Sequence, residues 1–168
     1  MTIQTGDRLP EGKLTECAEF DPVNGCPTNP QTIDVGTALK GRKIVIFGLP
    51  GAFTPTCSLR HLPGYVALSD ALSAKGVDEI WCLAVNDHFV MAAWGLEQQV
   101  DGKVRMMADG SAEYVRKLGL ERDLTANGMG LRCQRFAMII TDGKVDYLGI
   151  EGSGQFELST AETVLATL

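Results

Sequence analysis

Five cysteines, at positions 17, 26, 57, 82 and 133, and two histidines, His61 and His88, have the widest chemical reach in this 168-residue chain. No two cysteines form a Cys-x-x-Cys pair, the spacing on which both a structural zinc site and a thioredoxin-type dithiol depend. The two histidines are too distant in sequence to make up a metal site. Cys57 differs from the other cysteines in its neighbours. The segment Phe47-Gly48-Leu49-Pro50-Gly51-Ala52-Phe53-Thr54-Pro55-Thr56-Cys57 reads as a buried strand ending in Gly and Pro, then a turn, then a helix start. Thr54 suits the N-cap, and Pro55 the first helical position, because the amide it lacks would have no partner there. Cys57 then falls in the first turn, where free amides and the positive end of the helix dipole favour a thiolate, the nucleophilic form. The plainer alternative is a cysteine buried as a small hydrophobe.

The elements that must position Cys57 follow from periodicity. Lys43–Gly48 (Lys-Ile-Val-Ile-Phe-Gly) is a short, nearly continuous apolar run, as expected of a central strand covered on both faces. Glu79–Val85 reads as a second such strand, with others at Lys103–Met107, Arg135–Thr141 and Lys144–Ile150. The last two flank Asp142-Gly143, a two-residue hairpin signal. Leu59, Leu62, Val66, Leu68 and Leu72 recur near helical spacing, with Pro63-Gly64 predicting a kink or restart. Further helices are expected at Phe89–Leu96, Ala112–Leu118 and Ser159–Leu168, the last opened by a Ser159/Glu162 capping box. The first forty residues, rich in Pro, Gly, Asn and Thr, predict a hairpin with a long loop. Alternating strands and helices make one α/β domain over residues 1–168.

Composition narrows the functions. A hydrophobic share of 45% with 21% charged residues is ordinary for a globular chain, and a formal net charge of -6 offers no general attraction to nucleic acid or anionic lipid. No apolar run approaches the roughly 18 residues needed to cross a bilayer. The N-terminus lacks the basic-then-apolar form of a secretory signal, and cysteines this sparse do not build a secreted disulfide scaffold. A cytoplasmic, reducing setting is therefore expected. No phosphate loop or dinucleotide fingerprint is present, so no cofactor is expected, and no metal.

The spacing Pro50-x-x-x-Thr54-x-x-Cys57 resembles the active-site signature of peroxiredoxins. Pro-Gly-Ala-Phe-Thr-Pro-Thr-Cys followed by His61-Leu62-Pro63-Gly64-Tyr65 is similar to the type II, or peroxiredoxin V, group. The resemblance continues through Lys75-Gly76-Val77, Val85-Asn86-Asp87, Phe89-Val90, Trp94-Gly95, Gln134-Arg135-Phe136-Ala137-Met138 and Asp142-Gly143. It implies a thioredoxin-like α/β fold, a central mixed sheet with helices on both faces. It further implies that Cys57 attacks hydrogen peroxide or an alkyl hydroperoxide and becomes a sulfenic acid. Thr54 would bond the peroxide, Pro50 would keep water out, and Arg135 would hold the thiolate and polarise the O–O bond. An arginine suits that task, since it stays charged at any working pH and carries several donors in one plane.

How such a sulfenic acid is reset is less uniform. Some type II members use a cysteine near the C-terminus, but residues 134–168 contain none and Leu158 falls near that place. Others carry a second cysteine twenty-five residues after the first, the spacing of Cys82. Cys82 lies between Trp81 and Leu83 in an apolar strand, a setting that equally suits an inert buried thiol. The remaining route is a one-cysteine cycle reset by glutathione, glutaredoxin or thioredoxin. Cys17, Cys26 and Cys133 are read as structural or incidental. His61, one turn after Cys57, is a base, a stabiliser of the thiolate or, more simply, a structural hydrogen-bonding group. Asp87 and Asp109 are read as turn and cap residues. Phe89, Met91 and Trp94 are core residues or part of an exposed apolar face, and the resemblance implies a homodimer. A peroxide sensor that relays oxidation to a partner protein is the alternative use of the same chemistry.

Overall fold

The computed structural model describes residues 1–17 and 19–168. Among the described residues, eleven strands and six α-helices follow one another as β1 (Lys13–Glu16), β2 (Glu19–Asp21), β3 (Cys26–Thr28), β4 (Gln31–Asp34), α1 (Val35–Leu39) and β5 (Lys43–Gly48), then α2 (Leu62–Ala67), α3 (Ser69–Ala74), β6 (Glu79–Ala84), α4 (His88–Glu97) and β7 (Arg105–Ala108). The chain continues with α5 (Glu113–Leu118), β8 (Glu121–Leu124), β9 (Gly130–Cys133), β10 (Phe136–Thr141), β11 (Lys144–Ile150) and α6 (Ala161–Thr167). Seven of the strands form one sheet in the order β11-β10-β5-β6-β7-β1-β4. The pairs β5–β6 and β6–β7 are parallel, and the pairs made by β10, β11, β1 and β4 are antiparallel, so the sheet is mixed.

Strand alternation on β5 explains how the sheet buries both faces. Val45 and Phe47 point into a core shared with Leu62, Tyr65, Leu72, Met91, Trp94 and Val164, under α2, α3, α4 and α6. Ile44 and Ile46 point the other way, into a core with Val35, Leu39, Val115 and Leu118 from α1 and α5. Each strand expected from its apolar run is present to within two residues at either end. Asp142 and Gly143 both take left-handed φ values, 48° and 76°, as the two-residue turn between β10 and β11 requires.

One expectation is corrected, a second is present with more detail, and one hairpin has no counterpart among the expectations. The helix at the C-terminus is capped by Thr160, whose side chain accepts from the Thr163 amide, and not by Ser159, which is buried beneath it. The N-terminal hairpin is the pair β1–β4, and its long loop is itself folded into the hairpin β2–β3. The β8–β9 hairpin had no period strong enough to announce it, because Glu121–Leu124 is mostly solvent-exposed.

Register places the two ends of the sheet that matter. Phe136 pairs with Gly48, so Arg135, one residue earlier, stands at the carboxyl end of β5, where the Pro50–Cys57 segment begins. Gly48 is needed for this approach. A Cβ built there would lie 2.1 Å from the Phe136 ring.

Candidate active site

The segment after β5 folds much as its residues predict. Pro55 opens the helix, and Ser58 donates its amide to the Thr54 carbonyl at 3.0 Å. The Thr54 hydroxyl, however, does not cap the helix amides. It donates to the Gly51 carbonyl at 2.8 Å, tying the turn closed, while Asn86 Oδ1 accepts from the Ala52 amide at 2.9 Å. Phe53 takes a left-handed φ of 61°, an unfavourable backbone for a bulky residue, with its ring 6.4 Å from that of Trp94. Trp94 Nε1 donates to Ser58 Oγ at 3.1 Å and pins the helix start from the side of α4.

Cys57–His61 is a π turn, closed by the Leu62 amide on the Cys57 carbonyl. Pro63 explains the widening. It has no amide to return to the Leu59 carbonyl, so the regular four-residue ladder cannot run through this point. The predicted interruption is thus real, but it lies one turn earlier than Pro63-Gly64 itself.

Cys57 is fully buried, and Arg135 reaches it from the sheet: Nη2 donates to Sγ at 3.3 Å. The same guanidinium donates through Nη1 to His61 Nδ1 at 2.9 Å. Because the arginine has only protons to offer, His61 Nδ1 is the bare nitrogen, and Nε2 carries the hydrogen it donates to the Ser159 carbonyl at 2.9 Å. Burial first, and the Arg135 charge second, push the imidazole down to about 3, so it stays neutral at working pH. The ring is held by Phe47 at 4.9 Å, Phe156 at 5.1 Å and Tyr65 at 5.7 Å. Tyr65 adds a second donor to the Ser159 carbonyl at 2.9 Å.

The far side of this chain of contacts is the loop after β11. Glu151 Oε1 accepts from the Glu157 amide, the Ser159 amide and the Ser159 hydroxyl at 2.8, 2.7 and 2.8 Å. Phe156 lies between two cations, with Arg60 Cζ 4.7 Å and Arg135 Cζ 5.6 Å from its ring centre. Of these loop residues, sequence reasoning touched only Ser159, and in the wrong role. Nothing in their spacing signals a site; only the fold brings them to it.

A thiol held against a guanidinium at the end of a parallel strand pair suits nucleophilic redox chemistry, and the comparisons agree. The redoxin family profile matches residues 4–165. Peroxiredoxin-2D of Arabidopsis thaliana is 43% identical over 166 residues, covering 99% of this chain and 98% of its own. The chain is a peroxiredoxin. Reduced Prx3 of Vibrio vulnificus, crystallised in complex with hydrogen peroxide, shares 46% identity at a TM-score of 0.89, over 99% of each chain. A Burkholderia cenocepacia structure provisionally described as a thioredoxin reductase is 53% identical with a TM-score of 0.92, covering 100% of this chain and 99% of its own. The Cys-x-x-Cys that such a reductase would use has no counterpart here. As a peroxiredoxin, the protein is a thiol peroxidase that works through a cysteine.

All five cysteines of this peroxiredoxin are free thiols, and Cys82 packs in the same core as Cys57. Cys82 is fully buried at the centre of β6, paired in register with Phe47, and burial above all pushes its thiol well up. Cys133 is buried at the end of β9 and its thiol is likewise raised, chiefly by burial. Cys17 is buried beside Glu16, and Cys26 is exposed on the β2–β3 hairpin. Leu158, near the place of a C-terminal resolving cysteine, is exposed. Asp87 caps α4 by accepting from the Val90 amide, and Asp109 accepts from the Val115 amide, so both are structural, as expected. Met91 and Trp94 are core residues, whereas Phe89 remains half exposed.

Proposed function

We propose that Cys57 is the peroxidatic nucleophile, and that Arg135, Thr54 and Pro50 complete its site. The observation that carries this reading is the 3.3 Å contact from Arg135 Nη2 to Cys57 Sγ. The thiolate sulfur attacks the hydroxyl-bearing peroxide oxygen, the O–O bond breaks, and the departing oxygen takes the electron pair and then a proton from solvent, leaving a sulfenic acid. Negative charge builds on the departing oxygen, where the fixed guanidinium stabilises it without reorganising. Thr54 has already committed its hydrogen to the Gly51 carbonyl, so it faces a peroxide as an acceptor for the O–H. Pro50, half-buried at the end of β5, covers the site with a residue that has no amide of its own to hydrate.

Hydrogen peroxide and small alkyl hydroperoxides are the proposed oxidants, and an external thiol the reductant. Glutathione, delivered alone or through glutaredoxin, condenses with the sulfenic acid to a mixed disulfide and water, and a second thiol then releases Cys57. The burial of Cys82 in a central strand, which pushes its thiol well up and keeps it from the nucleophilic thiolate form, supports this route over an internal disulfide. A homodimer is proposed as well, supported by Phe53, Leu59, Phe89 and Leu96, all at least half exposed around the Cys57 helix and α4. Sedimentation of the intact protein tests it.

The activity test is peroxide consumption by the wild type and Cys57→Ser, run in parallel with thioredoxin, glutaredoxin plus glutathione, and glutathione alone. Retained turnover in Cys57→Ser removes the assignment. Mass spectrometry after one equivalent of peroxide separates the resetting routes: a glutathione adduct on Cys57 supports the external thiol, and a Cys57–Cys82 bond replaces it.

A further inference from the structure

We propose that the cavity beside Arg135 docks the reducing thiol and selects one that carries carboxylate groups, with Arg122 setting the preference. The proposal rests on the reading of Cys57 given above and names the chemical class of its reductant. A cavity of about 250 Å3 is lined by Arg122, Gln134, Arg135, Glu151 and Ser153. Arg135 both lines it and donates to Cys57 Sγ. A molecule held there is therefore separated from the sulfur by no more than one arginine.

Arginine pairing differs between the two ends of the parallel strands. At their amino ends Arg42 and Arg105 meet carboxylates, and Arg8 meets Asp142 in the nearby β10–β11 turn. At the carboxyl end of β5 stand Arg60, Arg122, Arg132 and Arg135, and none of them meets a carboxylate among the described residues. Arg122 and Arg132 face each other directly across β8–β9, an arrangement that like charges disfavour. Arg132 Nη1 would lie 2.8 Å from a Cβ built at Gly51, which places its charge at the turn before Cys57. Phe156, between Arg60 and Arg135, offers a ring face but no countercharge. Glu151 is the one carboxylate lining the cavity, and its Oε1 is engaged by Glu157 and Ser159.

Four guanidiniums without countercharge, in a chain of net charge -6, make a local positive field. Hydrogen peroxide is neutral and gains nothing from that field. The second substrate does: glutathione carries two carboxylates against one ammonium, and a guanidinium takes a carboxylate through two parallel bonds. Gln134 and Ser153 add polar side chains suited to its peptide groups. With the carboxylates held, the thiolate attacks the sulfenic sulfur of Cys57 and the S–OH bond breaks. Hydroxide leaves and is protonated to water, so that a mixed disulfide remains.

The test reads this second half-reaction alone, in the full chain. Cys57 is converted to the sulfenic acid with one equivalent of peroxide, and its reduction is then followed in stopped flow. Glutathione and the neutral 2-mercaptoethanol are the probes, in wild type, Arg122→Gln and Arg122→Glu. The variant-to-wild-type ratio for each thiol cancels its intrinsic nucleophilicity. Arg122→Gln is expected to slow glutathione by about two- to fivefold, the scale of one exposed ion pair. Arg122→Glu should slow it by about tenfold or more, because reversal adds repulsion, with 2-mercaptoethanol moved by less than about twofold in both. In wild type, raising salt from about 0.01 M to about 1 M shortens the screening length from about 30 Å to about 3 Å, and should slow glutathione but not 2-mercaptoethanol. Equal ratios for the two thiols in each variant overturn the proposal. So does a loss confined to the reaction of reduced enzyme with a fatty-acid hydroperoxide, which would assign the arginines to a carboxylate-bearing oxidant. Failure of the sulfenic acid to form on Cys57 would instead overturn the peroxidatic assignment.

Discussion

Replacing Arg135 with alanine removes the one cation bonded to Cys57, and its effect can be sized from the geometry. At the 3.3 Å separation of Nη2 and Sγ, a full charge pair in a medium of effective dielectric near 20 is worth about 5 kcal/mol. Desolvating the guanidinium offsets much of that, and measured hydrogen bonds to charged groups come to about 1.5–3 kcal/mol. At 1.36 kcal/mol per decade, the second-order reaction with peroxide should slow by about 10- to 150-fold. The same substitution leaves His61 Nδ1, a buried acceptor, without a partner. That should cost about 1–3 kcal/mol of folding stability, read as a lower urea midpoint. Arg135→Lys separates the two contributions, since one ammonium keeps the charge but cannot span Cys57 and His61 together. Its rate should fall between those of alanine and wild type. Stopped-flow peroxide consumption at pH 7 is the assay, with circular dichroism to confirm the fold. A folded Arg135→Ala protein reacting within threefold of wild type would refute the reasoning outright.

The remaining predictions concern stability and the second cysteine. His61 is held near 3 in the folded protein against an ordinary value near 6.5, so between those values the unfolded chain binds a proton that the native one does not. Stability is therefore present above about pH 6.5 and lost as pH falls, by up to about 1.4 kcal/mol per unit; urea titrations at pH 7 and 5 should show the decline, and His61→Gln should flatten it. Arg105 donates to Glu16 and to Glu79, and Glu79 also meets Arg42 at 2.8 Å. Arg105→Met strands the Glu16 carboxylate and leaves Glu79 with Arg42 and the Trp81 indole, and should cost about 2–3 kcal/mol in chemical denaturation without lowering the peroxide rate per folded molecule. Gly48→Ala would press a methyl against the Phe136 ring beside Arg135; a loss of about 1–3 kcal/mol together with a slower peroxide reaction is expected. Cys82→Ala should retain turnover with glutathione to within about twofold, at roughly 1 kcal/mol of stability for the small void; loss of turnover with every reductant would make Cys82 the resolving residue.

The parts of this molecule that were legible in its sequence share a physical trait: their signals are local. An apolar run such as Lys43–Gly48 declares a strand because both faces must be buried, and Thr54-Pro55 declares a helix start because proline fits only there. The β8–β9 hairpin, exposed and polar, sends no such signal. Thr54 shows a subtler failure. Its position is that of a cap, but the Gly51 carbonyl is nearer to hand than the helix amides, so the hydroxyl closes the turn instead. Ser159 was misread for a related reason. The pattern Ser159-x-x-Glu162 matches a capping box, yet Glu151 competes for the same hydroxyl from another element and wins.

That competition bears on the site itself. Cys57 and Arg135 are seventy-eight positions apart, and no spacing rule links them; the antiparallel register of Gly48 with Phe136 does. Once Arg135 is delivered there, its second donor must be satisfied inside a dry interior, because an unpaired buried donor costs about as much as the contact to Cys57 is worth. His61 meets that need from the helix that carries Cys57, and Ser159 meets the corresponding need of His61 from the loop after β11. Each polar group introduced for chemistry thus calls for another to pair it, until the chain of bonds ends on Glu151. A substitution at Glu151 should therefore reach the peroxide reaction through Ser159 and His61, although Glu151 itself does not touch the thiol.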